Sequence, residues 1–182
     1  MRLDGEERAQ SKVSLREGAK GAQGDTLVVR PALLNDVAVM AGLINGYAAR
    51  GEMLPKSLNQ IYQNIRDFVV AEQNGRIVGC GALHVLWDDL AEIRSLAVAE
   101  DHRRCGIGGQ IVQVLVQDAR RLGLPRVFAL TYKPEFFQRC GFVTIEREWL
   151  PRKIWVDCID CVKFPHCDEV AVLYNIEPLN EH

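Results

Sequence analysis

The stretch EDHRRCGIGGQIVQVLVQDARR, residues 100–121, changes character abruptly at Gly106. The residues before Gly106 are charged and irregular, whereas the residues after it place apolar side chains at helical spacing. The buried face of this helix is predicted to carry Ile111, Leu115, Ala119 and Leu122. Gly123 suits the end of the helix, because glycine readily adopts the conformation that follows a last turn. The stretch therefore predicts a basic, glycine-bearing loop joined directly to an amphipathic helix.

This junction has the chemistry of an anion site. Gly106, Gly108 and Gly109 allow the backbone to approach a ligand closely. The amides of a first helical turn have no partners within the helix, and the helix dipole favours negative charge there. Arg103 and Arg104 add positive potential at the same place. The loop therefore predicts a pyrophosphate site, with an ordinary glycine turn as the alternative for so short a pattern.

Composition limits the classes of partner. The chain has 182 residues, with 22 basic and 24 acidic residues and a formal net charge of −2. This length favours one domain, and no large basic field points to nucleic acid. No apolar run approaches the roughly 18 residues of a membrane span, and the first residues lack the apolar core of a secretory signal. We expect a cytoplasmic protein with a small-molecule ligand and with neither a nucleic-acid nor a membrane partner.

The remaining patterns predict a mixed α/β order. Residues 1–25 are polar and without period, which predicts a disordered tail, and residues 26–182 are predicted to form the domain. The predicted elements are a strand in TLVVRPA, a helix capped by Asn35 or Asp36, a helix from Ser57 to Arg66, a hairpin at Asn74-Gly75, a strand in AEIRSLAVA, the helix after Gly106, a strand in RVFAL, a helix from Pro134, a strand in GFVTIER, a helix from Pro151 and a final strand over 169–176.

Three motifs, in this order, resemble the GNAT superfamily of N-acetyltransferases. They are the strand EIRSLAV, the loop RRCGIG, which is similar to the Arg/Gln-x-x-Gly-x-Gly/Ala pyrophosphate motif, and FFQRCGF, which is similar to an aromatic-x-x-x-Gly-Phe segment. The resemblance covers residues 27–147. It implies a GNAT-like mixed, mostly antiparallel central sheet flanked by helices, and acetyl-CoA as the acetyl donor.

The same resemblance implies how acetyl-CoA binds. The main chain of Leu96, Ala97 and Val98 would pair with the pantetheine arm, which agrees with the two amides that pantetheine offers to an unpaired strand edge. The pyrophosphate would be held by Arg103, Arg104, Cys105, Gly106, Ile107, Gly108 and Gly109. Acetyl-CoA is the co-substrate in this reaction, and no metal is required.

Acetyl transfer to an amine needs a neutral nitrogen, a stabilised oxyanion and a route for protons. With the resemblance, Glu92 is the candidate general base, directly or through water; without it, Glu92 could be an exposed strand carboxylate. Phe137 stands where the family has a tyrosine as general acid, and it has no proton to donate. Thr131 and Tyr132 are the nearest hydroxyls to support the departing thiolate, unless they only end a strand.

Within the superfamily the chain is most similar to the acetyltransferase domain of N-acetylglutamate synthases of the short stand-alone form. The matching residues are GEMLPKSLNQIYQNIRDFVVAE, VGCGALHVLWDDLAEIRSLAV and RVFALTYKPEFFQRCGF. The similarity implies acetyl transfer to the α-amine of L-glutamate, the first step of arginine biosynthesis, and is compatible with a homodimer. Another amine acceptor, such as a different amino acid, a polyamine or a protein N-terminus, and a non-catalytic acyl-CoA sensor are the alternatives.

The similarity also predicts which residues bind the acceptor. Lys56 matches the basic residue that reaches the substrate carboxylate, and its alternative is a solvated lysine at a helix start. A dicarboxylic acceptor needs a second cation, for which the candidates are Arg94, Arg152, Lys153 and Lys163. His84 either faces the site or is a hydrogen-bonded structural histidine.

A cysteine-containing segment, residues 150–168, precedes the final predicted strand. Within it, CIDCVKFPHC places Cys158 and Cys161 two residues apart, before His166 and Cys167. This spacing is a weak zinc or iron–sulfur pattern, because the last two ligands are adjacent in sequence. Free thiols in a reducing compartment are the alternative.

Overall fold

The computed structural model of the chain describes residues 26–150 and 168–177. Its strands are β1 (Leu27–Pro31), β2 (Phe68–Gln73), β3 (Arg76–Trp87), β4 (Leu90–Val98), β5 (Arg126–Thr131), β6 (Val143–Ile145) and β7 (Val170–Asn175). Its helices are α1 (Val37–Ala49), α2 (Leu58–Gln63), α3 (Ile107–Arg121) and α4 (Pro134–Arg139). The helix predicted from Pro151 and the tail predicted over 1–25 lie outside the described residues.

The strands form one seven-stranded sheet in the order β1-β2-β3-β4-β5-β7-β6. Among the described residues every neighbouring pair is antiparallel except β4 and β5, which are parallel. The prediction of a mixed, mostly antiparallel sheet flanked by helices is therefore confirmed. β7 inserts between β5 and β6, so the end of the sheet is not in chain order.

The turn between β2 and β3 follows from its residues. Asn74 and Gly75 both have positive φ, 52° and 76°, as the tight hairpin turn predicted for this dipeptide requires. The α2 helix begins as predicted, because the Ser57 hydroxyl accepts the amide proton of Gln60. It ends at Gln63, earlier than the predicted Arg66, because the chain tightens into a 3-10 turn over Ile65–Asp67.

The start of α1 differs from the prediction of a side-chain cap. A 3-10 turn over Leu34–Asp36 precedes the helix, and Asp36 makes no side-chain cap to it. Its carboxylate instead accepts the Leu33 amide proton and pairs with Arg30 at 2.7 Å. The hydrogen bond from Arg30 is the main cause that lowers the pKa of the Asp36 carboxyl. The side chain therefore connects β1 to the turn.

The α3 helix packs against one face of the sheet. All but one of the residues predicted to lie on its buried face do so. Ile111, Leu115 and Ala119 are buried, but Leu122 is 64% exposed. Leu122 was wrongly predicted to share the buried face, because α3 has already ended at Arg121 and the chain turns away at Gly123, whose φ is 78°. None of the helices in the described ranges is both long and apolar enough to cross a membrane.

The opposite face of the sheet carries two separate hydrophobic clusters. One lies under α1 and α2, where Met40, Ile44 and Ile61 pack with strand residues that include Ala82. The other lies at the β4, β5 and β7 end, around Leu90, Phe128, Leu150 and Ala171. Successive side chains of a strand alternate between faces, so Glu92, two residues after Leu90, lies on the same face between these clusters.

Candidate active site

The β4 and β5 strands separate in the middle of the sheet. Their ladder pairs Ala91 with Val127 and Glu92 with Phe128, and no further pair joins these two strands in the described chain, although both continue. The other edge of β5 pairs with β7 along its length. The edge of β4 beyond Glu92 therefore faces an opening, in which an extended ligand can add as a strand.

A β-bulge turns β4 at this opening. Arg94 is opposite Ala82 and Ala97 is opposite Cys80, so two residues of β4 face one residue of β3. Ser95, within the bulge, has a positive φ of 53°. The bulge re-aims the strand just before the three residues predicted to pair with pantetheine.

The glycines of the predicted pyrophosphate loop have different roles. Gly106 precedes α3 with a φ of 79°, in the left-handed region that favours glycine. A Cβ on Gly108 would meet the Phe136 ring at 3.2 Å, so this glycine permits close packing of α3 on α4. Nothing lies within 4 Å of a Cβ on Gly109. The loop thus presents the open first turn of α3 that an anion site requires.

Tyr47 of α1 joins the end of β4 to the beginning of this loop. Its hydroxyl donates to the carbonyl oxygen of Val98 at 2.7 Å and accepts from Nε of Arg103 at 3.1 Å. The hydrogen bond with Tyr47 is the main cause that raises the pKa of Arg103. Sequence reasoning missed Tyr47, since its position in α1 predicts only a place on a helix.

A cluster of charges lies over the Tyr47 ring and connects two loops. The Glu52 carboxylate accepts from Arg50 at 2.6 Å and from Lys133 at 2.8 Å. The Arg50 and Arg103 guanidinium groups lie 4.6 Å and 4.9 Å from the centre of the ring. The hydrogen bonds from Arg50 and then Lys133 lower the pKa of Glu52 to about 2. The loop after α1 is thereby held to the loop after β5.

Glu92 lies where β4 and β5 part, and it is only 9% exposed. The alternative of an exposed strand carboxylate is therefore wrong. Arg94, two residues further along the same face, donates from Nε to the Glu92 carboxylate. The structure thus brings together the predicted general base and one of the cations predicted for the substrate carboxylate.

His84 lies directly opposite Glu92 on the neighbouring strand. Directly opposed residues of an antiparallel pair project from the same face, so both side chains belong to the polar region between the two clusters. The imidazole Nδ1 is 2.9 Å from Oδ2 of Asp67. His84 is hydrogen-bonded, as one alternative predicts, and it shares the face of Glu92, as the other predicts.

Lys56 lies just before α2, where its backbone is held by one side chain of α1. The Asn45 amide accepts the Lys56 amide proton at 3.0 Å and donates to the Lys56 carbonyl oxygen at 2.9 Å. Sequence reasoning missed Asn45, although asparagine within a helix is unfavourable and often has a specific partner. Asn45 therefore fixes the position of the segment that carries Lys56.

Thr131 is buried at the end of β5, and its hydroxyl accepts the Lys133 amide proton at 3.0 Å. Phe137 is buried in α4, with its ring edge-on to Phe136 and Phe142 at 5.1 Å and 5.2 Å between centroids. Phe137 therefore serves packing at this position. Lys163, Arg152, Lys153, Cys158, Cys161, His166 and Cys167 lie outside the described residues. Within the described part of the chain no group of His, Cys, Asp and Glu side chains could hold a metal ion.

Comparison with known proteins gives consistent matches. A family model described as Acetyltransferase (GNAT) family matches residues 44–142. An uncharacterized N-acetyltransferase of Chlorobaculum tepidum is 43% identical over 145 residues, which are 80% of this chain and 94% of that protein. An amino-acid acetyltransferase of Mycobacterium tuberculosis is 48% identical over 122 residues, which are 65% of this chain and 70% of that protein.

Solved structures agree with these relatives. Rv2747 from Mycobacterium tuberculosis, in complex with CoA, has a TM-score of 0.73 and 37% identity, with 82% of this chain and 99% of that chain covered. N-acetylglutamate synthase from Neisseria gonorrhoeae, complexed with coenzyme A and N-acetyl-glutamate, has a TM-score of 0.75 and 26% identity. That match covers 86% of this chain but only 36% of the synthase.

Proposed function

The chain belongs to the GNAT family of acetyltransferases, and from this premise we propose that it transfers acetyl from acetyl-CoA to the α-amine of L-glutamate. The product is N-acetylglutamate, which places the proposed reaction at the entry to arginine biosynthesis. Support for an amino acid as acceptor comes from the relatives named amino-acid acetyltransferase. Support for glutamate comes from the synthase complexed with N-acetyl-glutamate.

The observation that carries the proposal is the pairing of Glu92 with Arg94 where β4 and β5 part. An α-amino acid has an ammonium group and a carboxylate on the same carbon. A carboxylate beside a guanidinium complements both groups at once, since each finds an opposite charge. Glutamate has a second carboxylate, for which Lys56, held in place by Asn45, is the proposed partner.

The donor end is proposed to bind acetyl-CoA, which supplies the thioester. The unpaired edge of β4 suits the pantetheine amides over Leu96, Ala97 and Val98. Gly106 in its left-handed conformation opens the first turn of α3 to the pyrophosphate, with Arg103 beside it.

Glu92 is proposed as the general base, directly or through water, because the attacking amine must lose a proton. Thr131 is proposed to support the departing thiolate. A hydroxyl that accepts one amide proton, as Thr131 does from Lys133, still has its own O–H to donate. Phe137 cannot take this part, since its ring has no proton to donate and lies in the core.

A substrate panel tests the proposal. Purified protein is given acetyl-CoA with glutamate, glutamine, other amino acids and polyamines, and thiol release is measured. We expect the highest kcat/KM with glutamate. A preference for lysine or a polyamine would contradict glutamate but leave the acetyltransferase intact. CoA binding without turnover on any amine would instead support the non-catalytic sensor.

A further inference from the structure

The polar region around Glu92 contains a second pair of side chains that the proposed reaction leaves without a role. His84 lies on β3 between Ala82, which belongs to the cluster under α1 and α2, and Leu86, which packs on the other cluster. The side chains of His84 and Asp67 are 34% and 31% exposed. Both side chains of the pair are therefore partly open to solvent.

The geometry orients the imidazole. β2 begins at Phe68, opposite Ala82, and Asp67 is the last residue of the 3-10 turn that immediately precedes it. The Asp67 carboxylate, 2.9 Å from Nδ1, favours the tautomer that carries its proton on Nδ1. Asp67 is the imidazole's only hydrogen-bond partner among the residues described, so Nε2 keeps its lone pair, and His84 lies directly opposite Glu92 across the β3–β4 ladder.

Glu92 must pass on any proton that it takes from the amine before the next turnover. Its carboxylate already accepts a hydrogen bond from the guanidinium of Arg94. An imidazole changes charge near neutral pH, which is the range in which a proton acceptor is most effective. The two residues are direct neighbours across the β3–β4 ladder.

We propose that His84 receives the proton that leaves the acceptor's ammonium group through Glu92, and that Asp67 orients His84 for this step. The proposal rests on the proposed acetyl transfer to an amine. One N–H bond of the ammonium breaks and its proton reaches Nε2 of His84. The nitrogen lone pair then bonds to the thioester carbonyl carbon, and the C–S bond breaks. The thiolate takes a second proton from the same nitrogen, and His84 later releases its proton to water.

The charged groups around the imidazole define what a pH profile reports. Among the described residues they include Asp67 and its neighbour Arg66 from the turn before β2, and Glu92 and Arg94 from β4. The flanking residues of its own face, Ala82 and Leu86, carry no charge. Because these groups interact, the acid side of the kcat/KM profile belongs to them together.

The test compares His84→Gln with a matched control. Glutamine can still donate to Asp67 but cannot take up a proton near neutral pH, so kcat should fall about 10²-fold. KM for both substrates should stay within about threefold, because the loss concerns a proton and not binding. The control is Arg121→Gln, which alters an exposed ion pair between Arg121 and Asp118 near the end of α3, on the sheet face opposite to Glu92. This control should keep the parent kcat.

Two further measurements separate a proton role from a structural one. His84→Ala should lose activity, and added imidazole should raise the kcat of this variant at least tenfold. Asp67→Asn should lower kcat about tenfold and displace the acid side of the pH profile, since the imidazole remains but loses its carboxylate. Folding of each variant is checked by thermal unfolding, and Asp67→Asn alone decides the matter if the His84 variants do not fold.

The outcomes are distinct from those of the proposed function. Parent activity on the best amine of the panel is the reference, so an inactive parent would contradict the proposed function itself. An active parent whose His84→Gln variant keeps kcat within threefold would overturn the role of His84. So would a folded His84→Ala variant that imidazole does not restore, or an Asp67→Asn variant with the parent pH profile.

Discussion

The proposed donor end of the site, from Val98 to Gly109, is shaped by the backbone, whereas the proposed acceptor end around Glu92 is assembled from side chains of separate elements. At the donor end the features are an unpaired strand edge, a left-handed glycine and an open helical turn. At the acceptor end they are ion pairs and hydrogen bonds that join β4, β3 and the turn before β2. One end is defined by main-chain conformation and the other by charge.

This difference means that the two ends respond to different substitutions. A side-chain charge can be removed at the acceptor end while the backbone of the donor end stays in place. A change of backbone preference at Gly106 should, in turn, leave the Glu92–Arg94 pair intact. Donor affinity and acceptor turnover should therefore be separable by single substitutions, and the predictions below test this separation.

The largest effect should come from Glu92→Gln. Loss of the proposed base should lower kcat by about 10²- to 10⁴-fold while the Kd of CoA stays nearly unchanged. Steady-state kinetics and calorimetry with CoA measure the two quantities. Glu177→Gln is the control. This exposed carboxylate follows β7, whose last residues pair with the beginning of β5, far from Thr131 at the other end of β5. A fully active Glu92 variant would remove this residue from the mechanism.

Lys56→Met should affect the acceptor alone. Methionine keeps much of the apolar stem but deletes the charge, so KM for glutamate should rise by roughly 10- to 100-fold, the equivalent of about 1.5 to 3 kcal/mol. KM for acetyl-CoA should not change. Glutamine should be penalised less than glutamate if Lys56 holds the side-chain carboxylate, and equally if it holds the α-carboxylate. Unchanged use of glutamate would contradict this assignment.

Gly106→Ala should affect the donor alone. An alanine at a φ of 79° costs about 1–2 kcal/mol, so the Kd of CoA should rise by roughly 5- to 30-fold. Gly109→Ala is the comparison, because its Cβ meets nothing within 4 Å and its φ is not positive, and it should cost less. Gly108 is less informative, since a Cβ there would disturb Phe136. Equal effects at positions 106 and 109 would argue against a role for the left-handed conformation.

The smallest effect should come from Glu52→Gln, which affects the contact between the loops after α1 and β5. The pKa of Glu52 is lowered from 4.5 to about 2, so its charge stabilises the fold above pH 4.5, and this contribution is lost as the pH falls towards 2. The side chain is partly exposed, so the free energy of unfolding at pH 7 should decrease by at most about 1 kcal/mol. Urea unfolding of parent and variant from pH 7 to pH 3 should show the difference shrinking. A constant difference would exclude this ionisation as its cause.

Local signals explain which parts of the molecule could be predicted from the sequence. The hairpin follows from Asn74-Gly75, and the end of α3 from Gly123, because each depends on the conformation of one or two residues. The glycine loop is predictable for the same reason. The order of this loop and the other motifs along the chain gives the family resemblance, and the resemblance predicts the fold.

The side-chain contacts of the site that the sequence did not predict join residues of different elements. The amide of Asn45 holds Lys56, and the hydroxyl of Tyr47 reaches Val98. The pairing of His84 with Asp67 requires β2 to begin at Phe68, directly after Asp67. No spacing rule connects such residues, since their meeting depends on the completed sheet. The sequence predicts candidate residues for binding the acceptor, but the folded sheet determines which of them lie close together.

The insertion of β7 between β5 and β6 has a consequence for how the chain folds. Strands β2, β3 and β4 are joined in sequence by short turns, so their ladders close early at little cost in chain entropy. Strand β6, in contrast, pairs with β7, which follows it only after a long interval of chain. During synthesis or refolding, β5 and β6 can therefore complete their ladders only after β7 is in place. We expect their amides to gain protection from hydrogen exchange last. The opening beside β4 is thus bordered by the part of the sheet that forms latest.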